Sequence, residues 1–352
     1  LVTGREMDDL KRAFSELHLF DWVVAENGAQ IYRPSNQEST VLAEPPPPRF
    51  VEALERRGVA PLSVGKAIVA TWHPYETTVL EVIRDLGLEL QVIFNKDAVM
   101  VLPASVNKAT GLHAALKRMC LSEHNVVGVG DAENDHAFLS RCECSAAVAN
   151  ALPAVKETAD VTLAHGHGVG VAELIDMLVE DDLARMEGRL TRHQLLLGTC
   201  RDGSAERVRP YGSSVLIAGP SGSGKSSVAT GLLERLMEAK YQFCIVDPEG
   251  DYEGFDGAAM LGGGQRPPAV DEVVHLLKDP HDNAVVNLIG LPLADRPSFF
   301  LTLLIRLLDL RVKTGRPHWL IIDEVHHLLP TSWQPASVAL PQQLNQLLLL
   351  TV

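Results

Sequence analysis

Val215-Leu216-Ile217-Ala218-Gly219-Pro220-Ser221-Gly222-Ser223-Gly224-Lys225-Ser226-Ser227 is the stretch of this 352-residue chain whose reading decides the fold. Its first four residues are apolar and read as a buried strand. The glycine- and serine-rich run that follows suits neither helix nor strand, and residues 227–239 read as a helix. The run fits GxxxxGK[ST] between that strand and that helix, the context a phosphate-binding P-loop requires. Glycines let backbone N–H groups curl around phosphate oxygens, and the helix N-terminus adds its positive end. Gly219, Ser221, Gly222, Ser223, Gly224, Lys225, Ser226 and Ser227 are therefore the expected nucleotide-binding residues. Lys225 would reach the β- and γ-phosphates of ATP, and Ser226 would ligate Mg²⁺.

Downstream, apolar runs at 243–246, 285–289, 319–322 and 347–352 alternate with helical stretches, which predicts a parallel sheet. The run Leu320-Ile321-Ile322 ends in Asp323-Glu324. Asp323 is the expected second Mg²⁺ ligand and Glu324 the group that polarises an attacking water, which favours ATP hydrolysis over transfer to a bound small molecule. Leu261-Gly262-Gly263-Gly264-Gln265 reads as a glycine turn, and His326-His327 as a helix start rather than a metal pair.

Residues 193–352 resemble the HerA-like branch of the HerA/FtsK ATPases. The resemblance rests on Leu197-Gly198 before the loop, on Val246-Asp247-Pro248-Glu249-Gly250-Asp251-Tyr252, and on Arg316-Pro317-His318-Trp319 leading into Asp323-Glu324. It implies a RecA-like P-loop NTPase domain, a homo-hexameric ring, and DNA as a partner.

Upstream, Leu195-Leu196-Leu197-Gly198 and Asp202-Gly203 read as a hairpin, preceded by a charged helix from Glu180-Asp181-Asp182. Residues 181–214 are the expected linker between a first domain at 1–180 and the ATPase domain at 215–352. In the first domain short β-branched runs alternate with amphipathic stretches, the pattern of an α/β fold. The strand Val126-Val127-Gly128-Val129-Gly130 runs into Asp131-Ala132-Glu133-Asn134-Asp135, so its acids sit at the carboxyl end of a sheet. Asp131 and Asp135 suit an octahedral Mg²⁺ that also bridges a phosphate. Thr3 ends a strand with a hydroxyl, and Lys108 opens a helix where it could neutralise a transferring phosphoryl group. Thr3, Lys108, Asp131, Asp135 and Glu324 are the expected catalytic set; Asp131, Asp135, Ser226 and Asp323 are the expected metal ligands.

Val2-Thr3-Gly4-Arg5, Asn107-Lys108-Ala109-Thr110-Gly111-Leu112, Gly130 to Asp135 and Ala149-Asn150-Ala151 together resemble the Cof-like group of the haloacid-dehalogenase superfamily. The resemblance implies a HAD-like Rossmannoid domain with an α/β cap over about 20–100. It also implies a phosphorylated small molecule as substrate, sugar-phosphate-like, and places Glu26-Asn27-Gly28-Ala29 close to it. The family's Asp-x-Asp nucleophile motif does not occur in the chain. The chain opens on Leu1-Val2 and stops inside an apolar run, so a longer polypeptide whose first strand carries that motif is expected.

Composition bounds the rest. Hydrophobic residues make up 46% and charged ones 22%, which excludes a disordered chain. The net charge of −14 argues against a basic nucleic-acid coat protein. No apolar run reaches the ~18 residues of a membrane helix. The five cysteines include only a lone Cys142-x-Cys144, so reduced thiols and a cytoplasmic location are expected. The expectation is a fused hydrolase, an Mg²⁺-dependent phosphatase joined to a HerA-like ATPase. The alternative is a nucleic-acid motor with a catalytically silent, regulatory first domain.

Overall fold

Two kinds of strand pairing organise the chain: short, mostly apolar strands that pair in parallel, and strands that pair antiparallel in hairpins and a separate four-stranded sheet. A computed structural model describes residues 1–95, 97–210, 214–220 and 222–330, and the backbone of 348–351. These residues fall into two units, Leu1–Arg189 and Leu190–Val352.

The first unit holds a parallel sheet in the order Val161–Thr162, Cys144–Ala147, Val127–Gly130. A second sheet is antiparallel, Val23–Ala25, Gln30–Arg33 and Glu38–Val41, with Val2 bridging Val24 in parallel. The helix Lys108–Met119 packs on its first strands. A four-stranded antiparallel sheet, ordered Ser63–Val64, Val69–Trp72, Ala98–Pro103, Leu90–Asn95, forms the cap with helices Pro48–Arg56 and Glu76–Asp85. Period-two alternation splits its longest strand: Val99 and Val101 join Phe50, Leu54, Val79 and Val82, while Met100 and Leu102 join Ile68, Ala29 and Val106. The cap layer is thus narrower than residues 20–100. Val23–Val41 pair with the Val2 segment instead, because the buried Val23, Val24 and Ile31 pack there.

The charged helix expected from Glu180 does not form. The helix His167–Asp181 runs through Glu180-Asp181 and ends there, with Asp182 and Leu183 at φ 54° and 62°. Three acids at a helix C-terminus oppose the helix dipole and disfavour extension. Only a single 3₁₀ turn, Ala184–Met186, follows.

In the second unit Leu195–Thr199 and Ala205–Val208 form the expected hairpin. Six parallel strands follow, in the order Val215–Ile217, Leu348–Thr351, Trp319–Ile322, Phe243–Asp247, Ala284–Asn287, Ala259–Gly262. Alternate side chains go to opposite faces. Cys244, Val246, Val286, Leu320 and Ile322 pack with Phe300, Leu303, Leu304 and Leu307 of the helix Arg296–Thr314. Phe243, Ile245, Val285, Trp319 and Ile321 pack with Ala229, Leu232, Leu233 and Leu236 of the helix Lys225–Glu238. Both helical stripes follow the i, i+3, i+4, i+7 spacing of a buried helix face. The strand Ala259–Gly262 runs into the glycine turn expected over 261–265, which the reading had not extended upstream.

Candidate functional site

In the first unit the turn after Val127–Gly130 folds around its second carboxylate. Asp135 Oδ2 accepts the backbone N–H of Asp131 at 2.8 Å and of Ala132 at 3.0 Å. Its Oδ1 accepts the Lys108 ammonium at 2.5 Å, and both side chains are more than nine-tenths buried. Lys108 is delivered by a helix whose N-cap, Asn107, accepts the N–H of Thr110 in a capping box. Thr3 is set by its N–H to Val24 and by its carbonyl, which accepts from Asn27. Its hydroxyl accepts from the N–H of Arg5 at 3.2 Å.

Thr3, Lys108, Asp131 and Asp135 line one cleft of about 980 Å³, whose far wall is the cap through Ile68, Thr71, Trp72, Asn95 and Met100. A phosphate monoester fits the chemistry: a hydroxyl and an ammonium for phosphate oxygens, and a carboxylate for a divalent cation. Of the two expected metal ligands, Asp135 is engaged within the protein, its Oδ1 accepting from a buried ammonium and its Oδ2 from two amides, while Asp131 lines the cleft. Glu26, Asn27, Gly28 and Ala29, expected near the substrate, are buried and are not among the residues lining this cleft. His167 does line it and was not singled out by sequence; its signal is the His165-Gly166-His167-Gly168 run opening a helix. Asn150 accepts its N–H at 2.6 Å, holding it at φ 51°.

In the second unit the loop between Val215–Ile217 and Lys225–Glu238 curls on itself. Gly222 and Gly224 have φ of 77° and 93°, the N–H of Ser223 donates to Pro220, and Lys225 Nζ donates to the Gly219 carbonyl at 3.2 Å. Ser226 and Ser227 are exposed in the first helical turn, and Ser221 lies outside the described residues. Asp323 and Asp247 end adjacent parallel strands, the N–H of Asp323 donating to Val246. Asp247 is fully buried and accepts four backbone N–H groups, from Glu249 to Tyr252. Burial nevertheless pushes its carboxyl above the usual range, and the Asp323 charge adds to that. Burial likewise raises the Tyr252 phenol. Glu324, at φ 40°, pairs with His326 at 3.2 Å, and His327 meets Glu249 at 3.0 Å. The loop and the Asp323-Glu324 turn thus stand at the carboxyl end of one sheet, with a single strand between theirs.

Residues 77–175 match the family model for haloacid dehalogenase-like hydrolases. A phosphoglycolate phosphatase of Methanothermobacter thermautotrophicus is 32% identical over 161 residues, 44% of this chain and 70% of the relative. The chain belongs to the haloacid dehalogenase-like hydrolases. Another relative of this hydrolase, phosphoglycolate phosphatase 2 of Saccharolobus solfataricus, is 28% identical over 191 residues, 53% of this chain and 78% of that protein. A haloacid dehalogenase-like hydrolase from Bacteroides thetaiotaomicron aligns in structure with a TM-score of 0.44 at 18% identity, over 51% of this chain and 86% of its own. The hydrolase unit is joined to a second element: residues 211–314 match the central domain of helicase HerA.

Proposed function

We propose that this hydrolase joins an Mg²⁺-dependent phosphomonoester site in its first unit to an ATP-hydrolysing site in its second. The observation that carries the first part is the buried Lys108–Asp135 pair, set in a cleft that Thr3 and Asp131 also line. Lys108 neutralises phosphate charge, the Thr3 hydroxyl donates to a phosphate oxygen, and Asp135 holds the ammonium in place. Asp131 would hold Mg²⁺, which when bound neutralises and polarises the phosphate. The substrate class is a phosphorylated small molecule, a sugar phosphate or a phosphorylated acid such as the one its relatives are named for. An Asp-x-Asp is absent from residues 1–352, so turnover through a phospho-aspartate needs a carboxylate that this stretch does not contain. Titration calorimetry with inorganic phosphate and Mg²⁺ should show saturable binding, weakened about tenfold or more in Lys108→Ala; equal binding by that variant would reject the site.

In the second unit Lys225 contacts the β- and γ-phosphates of ATP, Ser226 and Asp323 would hold Mg²⁺, and Glu324 takes a proton from the attacking water. ATP hydrolysis should fall by about 10² or more in Lys225→Ala and in Glu324→Gln. A second reading is a DNA motor of hexameric form with a catalytically silent first unit, supported by the match of residues 211–314 to the central domain of helicase HerA. DNA that accelerates ATP hydrolysis supports it; a rate indifferent to any DNA rejects it.

A further inference from the structure

Three consecutive residues of the first unit, Glu26, Asn27 and Gly28, sit in the left-handed region at φ 49°, 54° and 104°. Two of them carry side chains and pay for that conformation, so the surroundings must impose it. The surroundings are the candidate phosphate site. The N–H groups of Glu26 and Asn27 donate to the carbonyls of Arg5 and Thr3 at 2.9 and 3.1 Å. Asn27 Oδ1 accepts from Asn134 of the Asp131–Asp135 turn at 3.1 Å. Gly28 lies so close to Asn107, the cap of the Lys108 helix, that a Cβ there would stand 1.9 Å from its carbonyl oxygen. One turn thus touches all three segments that bring Thr3, Asp131 and Lys108 to the cleft.

The Glu26 side chain leaves this hub for the cap. It is 1% exposed, and its carboxylate accepts three successive backbone N–H groups: Lys66 at 2.8 Å, Ala67 at 2.7 Å and Ile68 at 3.2 Å. Those amides form the turn between the cap strands Ser63–Val64 and Val69–Trp72, and Ile68 itself lines the cleft. Charge-assisted bonds to a buried carboxylate are short and strong, so the cap turn cannot shift without pulling on the hub.

We propose that Glu26 is a positioning residue through which the cap and the phosphate cleft respond to each other. Phosphate drawn in between Thr3 and Lys108 tightens the Glu26–Gly28 turn, and Glu26 passes that order to residues 66–68 of the cap. The proposal rests on the phosphate reading of the cleft.

Amide hydrogen exchange of the full chain tests it, with inorganic phosphate and Mg²⁺ as the probe. In the unaltered protein phosphate should slow exchange at Lys66, Ala67 and Ile68 by about threefold or more. In Glu26→Gln, which keeps the size and removes the charge, those amides should exchange about tenfold faster without ligand. They should also ignore phosphate that calorimetry still finds bound. Phosphate binding that leaves the three amides of the unaltered protein unchanged overturns the coupling and leaves the phosphate site standing. A Glu26→Gln protein that keeps the ligand response overturns it as well. Failure of the unaltered protein to bind phosphate in calorimetry removes the site and the coupling together. The unaltered protein decides the matter if the variant does not fold.

Discussion

Lys108 and Asp135 form a buried ion pair whose worth depends on both members being present. Removing the ammonium strands a carboxylate in the interior, whereas removing both charges strands nothing. Lys108→Ala should therefore destabilise the first unit by about 3 kcal/mol, and adding Asp135→Asn should restore part of the loss rather than deepen it. Urea unfolding of the two single variants and the double variant measures the coupling; strictly additive losses would mean the pair is not a unit. The same residues show where sequence reasoning ran short. Lys108, Asp131 and Asp135 were legible as candidates because each sits at a strand end or helix start, where ligands bind. That Asp135 serves Lys108 and the turn amides was not legible, since spacing along the chain says nothing of which oxygen meets which donor. Glu26 was placed near the substrate by resemblance alone, and its hold on the cap was not legible, because its three partners lie some 40 residues away in sequence.

At the scale of elements the parallel strands were the readable part. Phe243–Asp247 and Trp319–Ile322 are short, fully buried apolar runs ending in an acid, and a run with no exposed face leaves little choice but the centre of a sheet. Lys108–Met119 was equally plain as a helix opening at Lys108, while its Asn107 capping box came only with the structure. Ala259–Gly262 was not, because its three apolar residues pass straight into a run of glycines and its side chains are exposed or half-buried. Strand placement also predicts thiol chemistry. Cys142 and Cys144 are buried, as is Cys244, whose thiol burial pushes up to about 12, while Cys120 and Cys200 are exposed. A maleimide titration of the native protein at pH 7.5 should label Cys120 and Cys200 within minutes and the other three only on unfolding. Rapid labelling of Cys244 would contradict its place in the sheet. Its raised pKa also sets a sign: the thiol's contribution to stability is complete below pH 9 and is lost as pH climbs through about 12.

Across the whole molecule, each unit has its own core and its own candidate ligand. A ligand that binds only the native form of one unit stabilises that unit alone, by about 2.7 kcal/mol at a hundredfold excess over Kd. Scanning calorimetry should resolve two transitions. Inorganic phosphate with Mg²⁺ should raise one, ATP with Mg²⁺ the other, and Lys225→Ala should abolish only the second response. A single transition moved by both ligands would show that the units do not melt independently. Among the described residues no helix is long and apolar enough to cross a membrane.

The strand Val215–Ile217, which feeds the candidate nucleotide loop, touches the sheet, among the described residues, through Leu348–Thr351 alone. That neighbour lies more than a hundred residues farther along the chain than the strand it pairs with. Until it emerges, the loop's own strand lacks the partner that these residues give it, and the nascent second unit carries an unfinished edge. Nucleotide capture during synthesis should therefore lag until residues 348–351 have emerged and slotted between the two strands already waiting for them.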